Sequence, residues 1–483
     1  MTELVLVLYG VSLAVAGVAV WRRPIVALYV FIAGLALHNL VLSLLYDAGL
    51  RGGALDVVQA WKEAVLAVAV ARVGYEAVRA RRLPFRPGVV DWLALAFGAV
   101  VCLYAVIPQS ALDGGAGAKA ILYGLRHGLV PVVAYFLGRS LVFGRKELRR
   151  VGWALLAAAA ALAAGGLIDL YAVDVEWWRN SGAVGYYRHE LGFDYHGPGG
   201  LPDNWAFNTT EGLFRRLVSS FVSPLASAFV FVVALLLAGI AWQSRRHRAL
   251  AAALVAFVAV GLLFTLSRSS LVALAGALVV LAIALRRWWP VAAAAAVVAA
   301  GVAFAYSFTS LAPETHFFPE DLPYQEEQAR EHGGLPGGGS LALNPGEPSL
   351  RSHWRSLRDG IQTVVRHPQG YGLGNAGAIA VRFGVPLKAG ESNYTEFGVE
   401  TGLAGALLLV AWSLMLLGGL VRSAWRASDG LVRAATAGTA AAFAAVLALG
   451  VQTDAYGVPW LAYVVWWLAG SLVERSDRTE LLP

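Results

Sequence analysis

Charge is scarce in this chain of 483 residues. Asp, Glu, Lys and Arg together make up 14%, against roughly 25% in a soluble domain. The apolar set (Ala, Val, Ile, Leu, Met, Phe, Trp, Tyr, Cys) reaches 58%. A soluble fold of this length cannot hide so much apolar surface, because its outside needs polar cover. An ordinary cytosolic globule is thereby excluded, as is any disordered or fibrous class. Lipid can supply the missing burial, so the composition implies a polytopic membrane protein. Cysteine is nearly absent as well. Cys102 stands alone, which excludes an intrachain disulfide and any multi-cysteine metal centre. It lies in an apolar run and reads as a small core residue.

Runs of about 20 apolar residues mark membrane-spanning helices. Thirteen candidates fall at about 4–21, 25–46, 54–77, 89–108, 120–143, 151–173, 217–242, 249–266, 269–285, 289–311, 396–420, 431–450 and 459–474. The expected fold is an all-α transmembrane bundle of about 12–13 spans with a helical outer-face loop domain. If the spans alternate, six basic clusters share one side. They are Arg22-Arg23; Arg79, Arg81, Arg82 and Arg86; Arg145, Lys146, Arg149 and Arg150; Arg245, Arg246 and Arg248; Arg286-Arg287; and Arg422 with Arg426. Lys and Arg collect in cytoplasmic loops, so that side is the cytoplasm. The formal net charge of +7 is then explained without a nucleic-acid partner. The first run, Leu4–Trp21, has no basic residue before it and is expected to be retained rather than cleaved.

This topology divides the chain into N-terminal spans (1–173), an outer segment (174–216), central spans (217–311), a large outer segment (312–395) and C-terminal spans with a cytoplasmic tail (396–483). The first outer segment is rich in aromatics: Trp177, Trp178, Tyr186, Tyr187, Phe193, Tyr195, Trp205 and Phe207. Such residues suit a membrane interface or a sugar-stacking surface. The second begins with a Gly/Pro-rich stretch, Gly333–Pro348, expected to form a mobile loop. An amphipathic helix follows over about 350–366, with Trp354, Leu357, Ile361 and Val365 at three- and four-residue spacing and Arg351, Arg355 and Arg358 off that stripe. Gly370–Gly374 reads as a tight turn, since no strand–helix unit surrounds it. Asn208-Thr-Thr and Asn393-Tyr-Thr match the glycosylation sequon.

An ionisable group deep in a bilayer costs at least about 2.5–3.5 kcal/mol, so each one asks for a reason. The third span holds Lys62, Glu63 and Arg72, the fifth Arg126, His127 and Arg139, and the sixth Asp169. Arg72 and Arg139 lie near cytoplasmic ends and are expected to snorkel. Neighbours in sequence do not face each other on a helix, so Lys62 and Glu63 are expected to pair with other helices. Arg216 and Arg268 fall at the same depth on separate elements, beside serines. Guanidinium forks suit phosphate oxygens, and a lipid-linked diphosphate presents its phosphates at that depth.

Three segments resemble one family, the bacterial O-antigen ligase and O-antigen polymerase superfamily. The first is Arg216-Leu-Val-Ser-Ser-Phe-Val-Ser-Pro224. The second is Leu263-Phe-Thr-Leu-Ser-Arg-Ser-Ser270. The third runs from Arg351-Ser-His-Trp354 through His367-Pro-Gln-Gly-Tyr-Gly-Leu-Gly-Asn375 to Glu391-Ser-Asn-Tyr-Thr-Glu-Phe-Gly-Val-Glu-Thr-Gly-Leu-Ala-Gly405. The likeness covers about 200–475, whereas the N-terminal spans agree in character only. It implies a metal-independent glycosyltransferase at the outer face of the inner membrane, with no cofactor. Such an enzyme takes a glycan from undecaprenyl diphosphate and gives it to a sugar hydroxyl on lipid A–core (ligases) or on another lipid-linked repeat (polymerases). The family arginines that hold the donor diphosphate carry over to Arg216 and Arg268, and the outer-loop arginine to Arg351. Ligases tend to have histidine just before the return segment. This chain has Glu391 there, which favours a polymerase, with membrane lipids and a chain-length regulator as further partners.

Displacing a diphosphate from an anomeric carbon needs a base for the acceptor hydroxyl and stabilisation of the leaving charge. Glu391 is the expected base, with His353 competing. Arg216 and Arg268 would clamp the diphosphate, assisted by Arg126 and Arg351. No DxD-like or His-rich cluster marks the outer segments, which favours arginines over a metal. Direct attack predicts inversion. A transporter or flippase is the rival class, though it has no need of so long an outer loop and usually shows internal repeats.

Overall fold

The computed structural model describes residues 2–209, 212–331 and 348–474. The chain is an all-α polytopic membrane protein. Ten of its described helices are long and apolar enough to cross a membrane. The spans begin with α1 (Thr2–Arg22) and α2 (Val26–Asp47), then a broken pair, α3 (Gly52–Gln59) and α4 (Trp61–Ala80). They continue through α5 (Val89–Val106), α6 (Ala118–Ser140), α7 (Arg145–Ala172), α8 (Pro224–Leu237), α9 (Arg248–Phe264), α10 (Arg268–Leu285) and α11 (Trp289–Leu311). After the second long segment come α15 (Asn393–Arg426), α16 (Gly430–Leu449) and α17 (Pro459–Leu472). Every expected run contains a helix. Three are less clearly spans: α4 is long enough but carries Lys62, Glu63, Arg72 and Glu76, α9 has 17 residues and α17 has 14.

Helix α17 is short yet apolar all round, and Trp460 through Leu472 are buried. An apolar helix of that kind belongs in the middle of a bundle. It crosses α6 where both carry glycine. A Cβ on Gly138 would lie 2.0 Å from Trp467 O, and one on Gly470 would lie 2.1 Å from Tyr135 O. Small residues at such a crossing let the backbones touch, which is how helices gain contact in lipid. The periphery is apolar too: Leu4, Val11, Val15, Leu103, Val106 and Val272 are all exposed. Cys102 sits on that outer surface of α5 rather than in the core.

One end of the bundle is basic. There Arg23 reaches Glu147 at 3.8 Å, Arg145 pairs with Asp429, and Arg286 lies 4.7 Å over the Trp425 ring. Arg139 does not snorkel. It is 2% exposed and bonded to Asp91, because the 85–91 segment and Val473–Glu474 close around its guanidinium before the stem can reach water.

Both long segments sit at the opposite end and are tied together. Strands β1 (Ala206–Asn208) and β2 (Leu213–Arg215) form a hairpin, to which β3 (Glu314–Thr315) adds antiparallel with Leu213 opposite Thr315. His196 Nδ1 lies 3.2 Å from Asp321 Oδ1. Most of the aromatics in the first segment are neither interfacial nor free to stack on sugar. Trp178, Tyr187 and Trp205 pack with Leu201, Val218 and Val222 into a small core, each worth roughly 2–3 kcal/mol of burial. Trp177 alone of the tryptophan pair is exposed. The residues expected to begin the seventh span at 217 form a 3₁₀ turn instead, and α8 starts at Pro224 with Ser223 as its N-cap.

The second segment holds α12 (Leu322–Glu331), α13 (Pro348–Arg366) and α14 (Gly377–Arg382); residues 332–347, including most of the Gly/Pro-rich stretch, lie outside the described residues. On α13 the buried residues are Gly360 and Val364, whereas Trp354, Ile361 and Val365 face outward. A Cβ at Gly360 would meet Thr395 at 2.8 Å, so this glycine, off the expected stripe, decides which face docks on α15.

Candidate functional site

The two serine-rich segments around Arg216 and Arg268 fold against each other. Arg216 Nε donates to Thr265 O at 2.7 Å, Nη1 to Asn204 O at 2.9 Å and Nη2 to Leu266 O at 3.5 Å. Leu217 N adds a bond to Phe264 O at 3.0 Å. Thr265 and Leu266 immediately precede Ser267, the N-cap of α10, and Arg268 is the first residue of that helix. Both arginines are half-buried and belong to one junction at the loop-bearing end. The junction is strained: Ser219, Val222 and Leu266 take φ of 56°, 56° and 45°. For β-branched Val222 that region is a genuine outlier, costing on the order of 1–3 kcal/mol. Neighbouring Arg215 is neutralised separately, with Nη2 lying 3.3 Å from Asp169 Oδ1.

Arg126 lies elsewhere. Its Nη1 is 3.2 Å from Glu63 Oε1, and its guanidinium sits 4.5 Å over the Tyr123 ring. Arg382 stacks on Tyr123 at the same 4.5 Å. Lys62, 2% exposed, donates to Gln59 O at 2.8 Å, lies 3.3 Å from His38 Nε2 and also reaches Glu63 Oε2 at 3.7 Å. Lys62 and Glu63 thus each pair with another helix, as expected, Lys62 with His38 on α2 and Glu63 with Arg126 on α6, and they also approach each other. The Arg216 segment touches the same region through α2: Ser220 Oγ donates to Ala36 O at 2.5 Å and Asn39 Nδ2 to Phe221 O at 2.9 Å, flanking His38.

His353 and Glu391, expected as competing bases, form an ion pair between His353 Nδ1 and Glu391 Oε2. Both are partly exposed, and they join α13 to the start of α15. Arg351 is on α13, and its side chain lies outside the described residues.

Behind this pair is a cluster that sequence reasoning did not assemble. Helix α15 is broken at Gly402 (φ 69°, ψ 178°). The loop 367–376 fills the break: Leu403 N donates to Pro368 O at 2.8 Å and Tyr371 N to Val399 O at 2.7 Å. Asn375, 0% exposed, fixes this loop by donating to Gln109 Oε1 at 2.7 Å and Gly372 O at 2.9 Å and accepting from Gly115 N at 2.8 Å. The expected tight turn is present, with Gly370, Gly372 and Gly374 all at positive φ. The loop leaves two buried carboxylates, Glu396 and Glu400, close to the half-buried Asp454. Glu400 accepts from Gly374 N at 2.8 Å. Asp454 accepts from Asn393 Nδ2 at 2.5 Å and Gly457 N at 2.7 Å, and lies 3.2 Å from His127 Nε2. Glu396 is 4% exposed. Burial disfavours ionised Asp454, but His127 and these hydrogen bonds outweigh it and hold its carboxyl below the ordinary value. Asn393 is 0% exposed, which removes it as a glycosylation acceptor.

No protein-family model matches the chain, and no curated protein is similar enough to match it.

Proposed function

We propose that this chain is a glycosyltransferase of bacterial surface-polysaccharide assembly, multi-pass in the inner membrane with its loop-bearing end in the periplasm. It takes a glycan from undecaprenyl diphosphate and transfers it to a sugar hydroxyl with inversion, as an O-antigen-type polymerase. The observation that carries this reading is the junction of Arg216 with the turn before Arg268. Two segments about fifty residues apart in sequence meet there, and both resemble the same family. Arg216 ties down the Thr265–Leu266 turn, and that turn presents Arg268 at a helix start, where the free N–H groups favour an anion. Arg268 then binds the leaving diphosphate, with Arg351 assisting, whereas Arg126 is taken up by Glu63 and is not part of this junction. The His353–Glu391 pair takes the acceptor proton, one member orienting and polarising the other. The donor sugar enters from this end, with its polyprenyl chain in lipid beside the bundle.

The broken helix α15 favours a second reading. Discontinuous spanning helices are a mark of transporters, so relocation of a lipid-linked glycan without chemistry is the rival. Purified protein in vesicles with lipid-linked glycan separates the readings. Longer glycan chains support the polymerase, transfer to added lipid A–core makes it a ligase, and relocation without new bonds makes it a flippase. Unchanged polymerisation by Arg268→Ala at normal abundance would refute the clamp.

A further inference from the structure

We propose that His127, Glu396 and Asp454 form a binding site for one divalent transition cation of the Mn2+ or Zn2+ class, buried where α6, α15 and the 450–458 loop meet. The donor atoms of the three residues all lie within 4.8 Å of one another. His127 Nε2 and Asp454 Oδ1 are 3.2 Å apart. Two ligands held about 2.0–2.2 Å from one ion at about 90–109° would be about 2.8–3.6 Å from each other. The three residues come from positions 127, 396 and 454, so no sequence spacing announces the set.

Two orphaned atoms point to an ion rather than to a self-satisfied cluster. Neither His127 Nε2 nor Glu396 Oε1 has a hydrogen-bond partner among the described residues, although both are buried. Glu396 is 4% exposed, and a buried carboxylate without a partner is strongly disfavoured. Glu400 and Asp454 add negative charge around it, whereas His127 is the one basic side chain within the cluster. A divalent cation supplies the missing charge and a partner for both orphaned atoms. Gly377 keeps the place open: a Cβ there would come within 2.3 Å of Glu396 Oε1. An imidazole with carboxylates suits Mn2+ or Zn2+ better than Ca2+, which takes oxygen ligands only. The ion would join two spanning helices to the loop under the His353–Glu391 pair. It takes no part in the transfer chemistry proposed above.

The test uses the full chain, free of any histidine tag, in lipid nanodiscs. After chelation and dialysis, Mn2+ is titrated and its free fraction is read by electron paramagnetic resonance. Zn2+ is counted separately by elemental mass spectrometry. The expected result is about one ion per chain, a raised melting temperature with either ion, and binding weakened at least about tenfold in Glu396→Gln and in Asp454→Asn. Wild-type protein that binds neither ion above the level of those variants, with an unmoved melting temperature, overturns the site. The wild-type measurement decides the matter even if a variant fails to fold. No glycan is present, so the outcome is independent of the transferase reading.

Discussion

Arg139 gives the most direct quantitative test of how this bundle carries charge. Its Nε donates to Asp91 Oδ1 at 2.8 Å, and Nη2 reaches Asp91 Oδ2 at 3.0 Å, Glu474 Oε2 at 3.1 Å and Arg86 O at 3.1 Å. Nη1 donates to Val473 O at 3.2 Å. Asp91 is 1% exposed and also accepts from Tyr135 Oη at 2.7 Å and Gly88 N at 2.8 Å. Arg139→Met keeps most of the stem volume but strands the Asp91 charge. Removing one partner of a buried pair costs about 3–5 kcal/mol, whereas an exposed arginine at an interface would lose about 0.2–1 kcal/mol. The two cases differ by several-fold. Adding Asp91→Asn removes the stranded charge and keeps one acceptor oxygen, enough for Tyr135 Oη or Gly88 N but not both, so the double variant should recover only part of the loss. Reversible unfolding in mixed micelles, followed by tryptophan fluorescence, reads both. A loss below about 1 kcal/mol for Arg139→Met, or a double variant as unstable as the two single losses added, would refute the clamp.

The His353–Glu391 contact predicts non-additive kinetics. Glu391→Gln and His353→Gln should each slow glycan transfer about 10²–10⁴-fold, and the double variant no more than the worse single, because the pair acts as one unit; effects that multiply would show two independent groups. Gly402→Ala places a Cβ 2.6 Å from Pro368 O at a φ of 69°; it should cost about 1–3 kcal/mol in the same unfolding assay, and an unchanged stability would mean that α15 can straighten. Burial, aided by Asp203, pushes the Tyr195 hydroxyl from 10.0 up to about 12. The folded state thus stays protonated where the unfolded chain ionises, so this contribution is complete below pH 10 and fades as pH rises towards about 12. Tyr195→Phe should flatten that alkaline loss, and an identical pH profile in the variant would sink the assignment.

The spans were legible because lipid demands long apolar runs, and all thirteen runs contain helix. What lipid does not dictate is which charges meet. Arg139 finds Glu474, Arg126 finds Glu63 and His127 finds Asp454, each across a distance in sequence that no local period encodes. A charge near a span end could equally have reached water, which is why Arg139 read as snorkelling. The aromatic segment misled for a related reason. Tryptophan and tyrosine look the same in sequence whether they face an interface or close a small core, and the Trp178–Trp205 contact, with ring centroids 4.9 Å apart, exists only in three dimensions. The amphipathic helix expected over about 350–366 is present as α13, but the face that docks on α15 is set by Gly360, a residue invisible to a hydrophobic period.

Backbone at positive φ occurs at both ends of the bundle, and at the loop-bearing end it gathers in the segments that carry Arg216 and Arg268. At the basic end, Arg81 and Arg286 have positive φ, and each is the left-handed cap of a helix, an ordinary way to end one. At the loop-bearing end, Leu266 lies between two helices, Ser219 opens a single 3₁₀ turn and Val222 is the left-handed cap of that turn. Strain of on the order of 1–3 kcal/mol per residue persists only where surrounding contacts over-determine it. Here the contacts are Trp205 Nε1 donating to Val222 O at 3.1 Å, Ser227 Oγ donating to Val218 O at 2.6 Å and the Arg216 bonds to Thr265 and Leu266. These contacts hold the chain in a shape that local preference opposes, and that shape brings Arg216 and Arg268 together at one junction. Relaxing it, for instance with Val222→Gly, should therefore stabilise the turn locally while leaving Arg268 less fixed. That is the behaviour expected of a backbone shaped for a ligand rather than for stability.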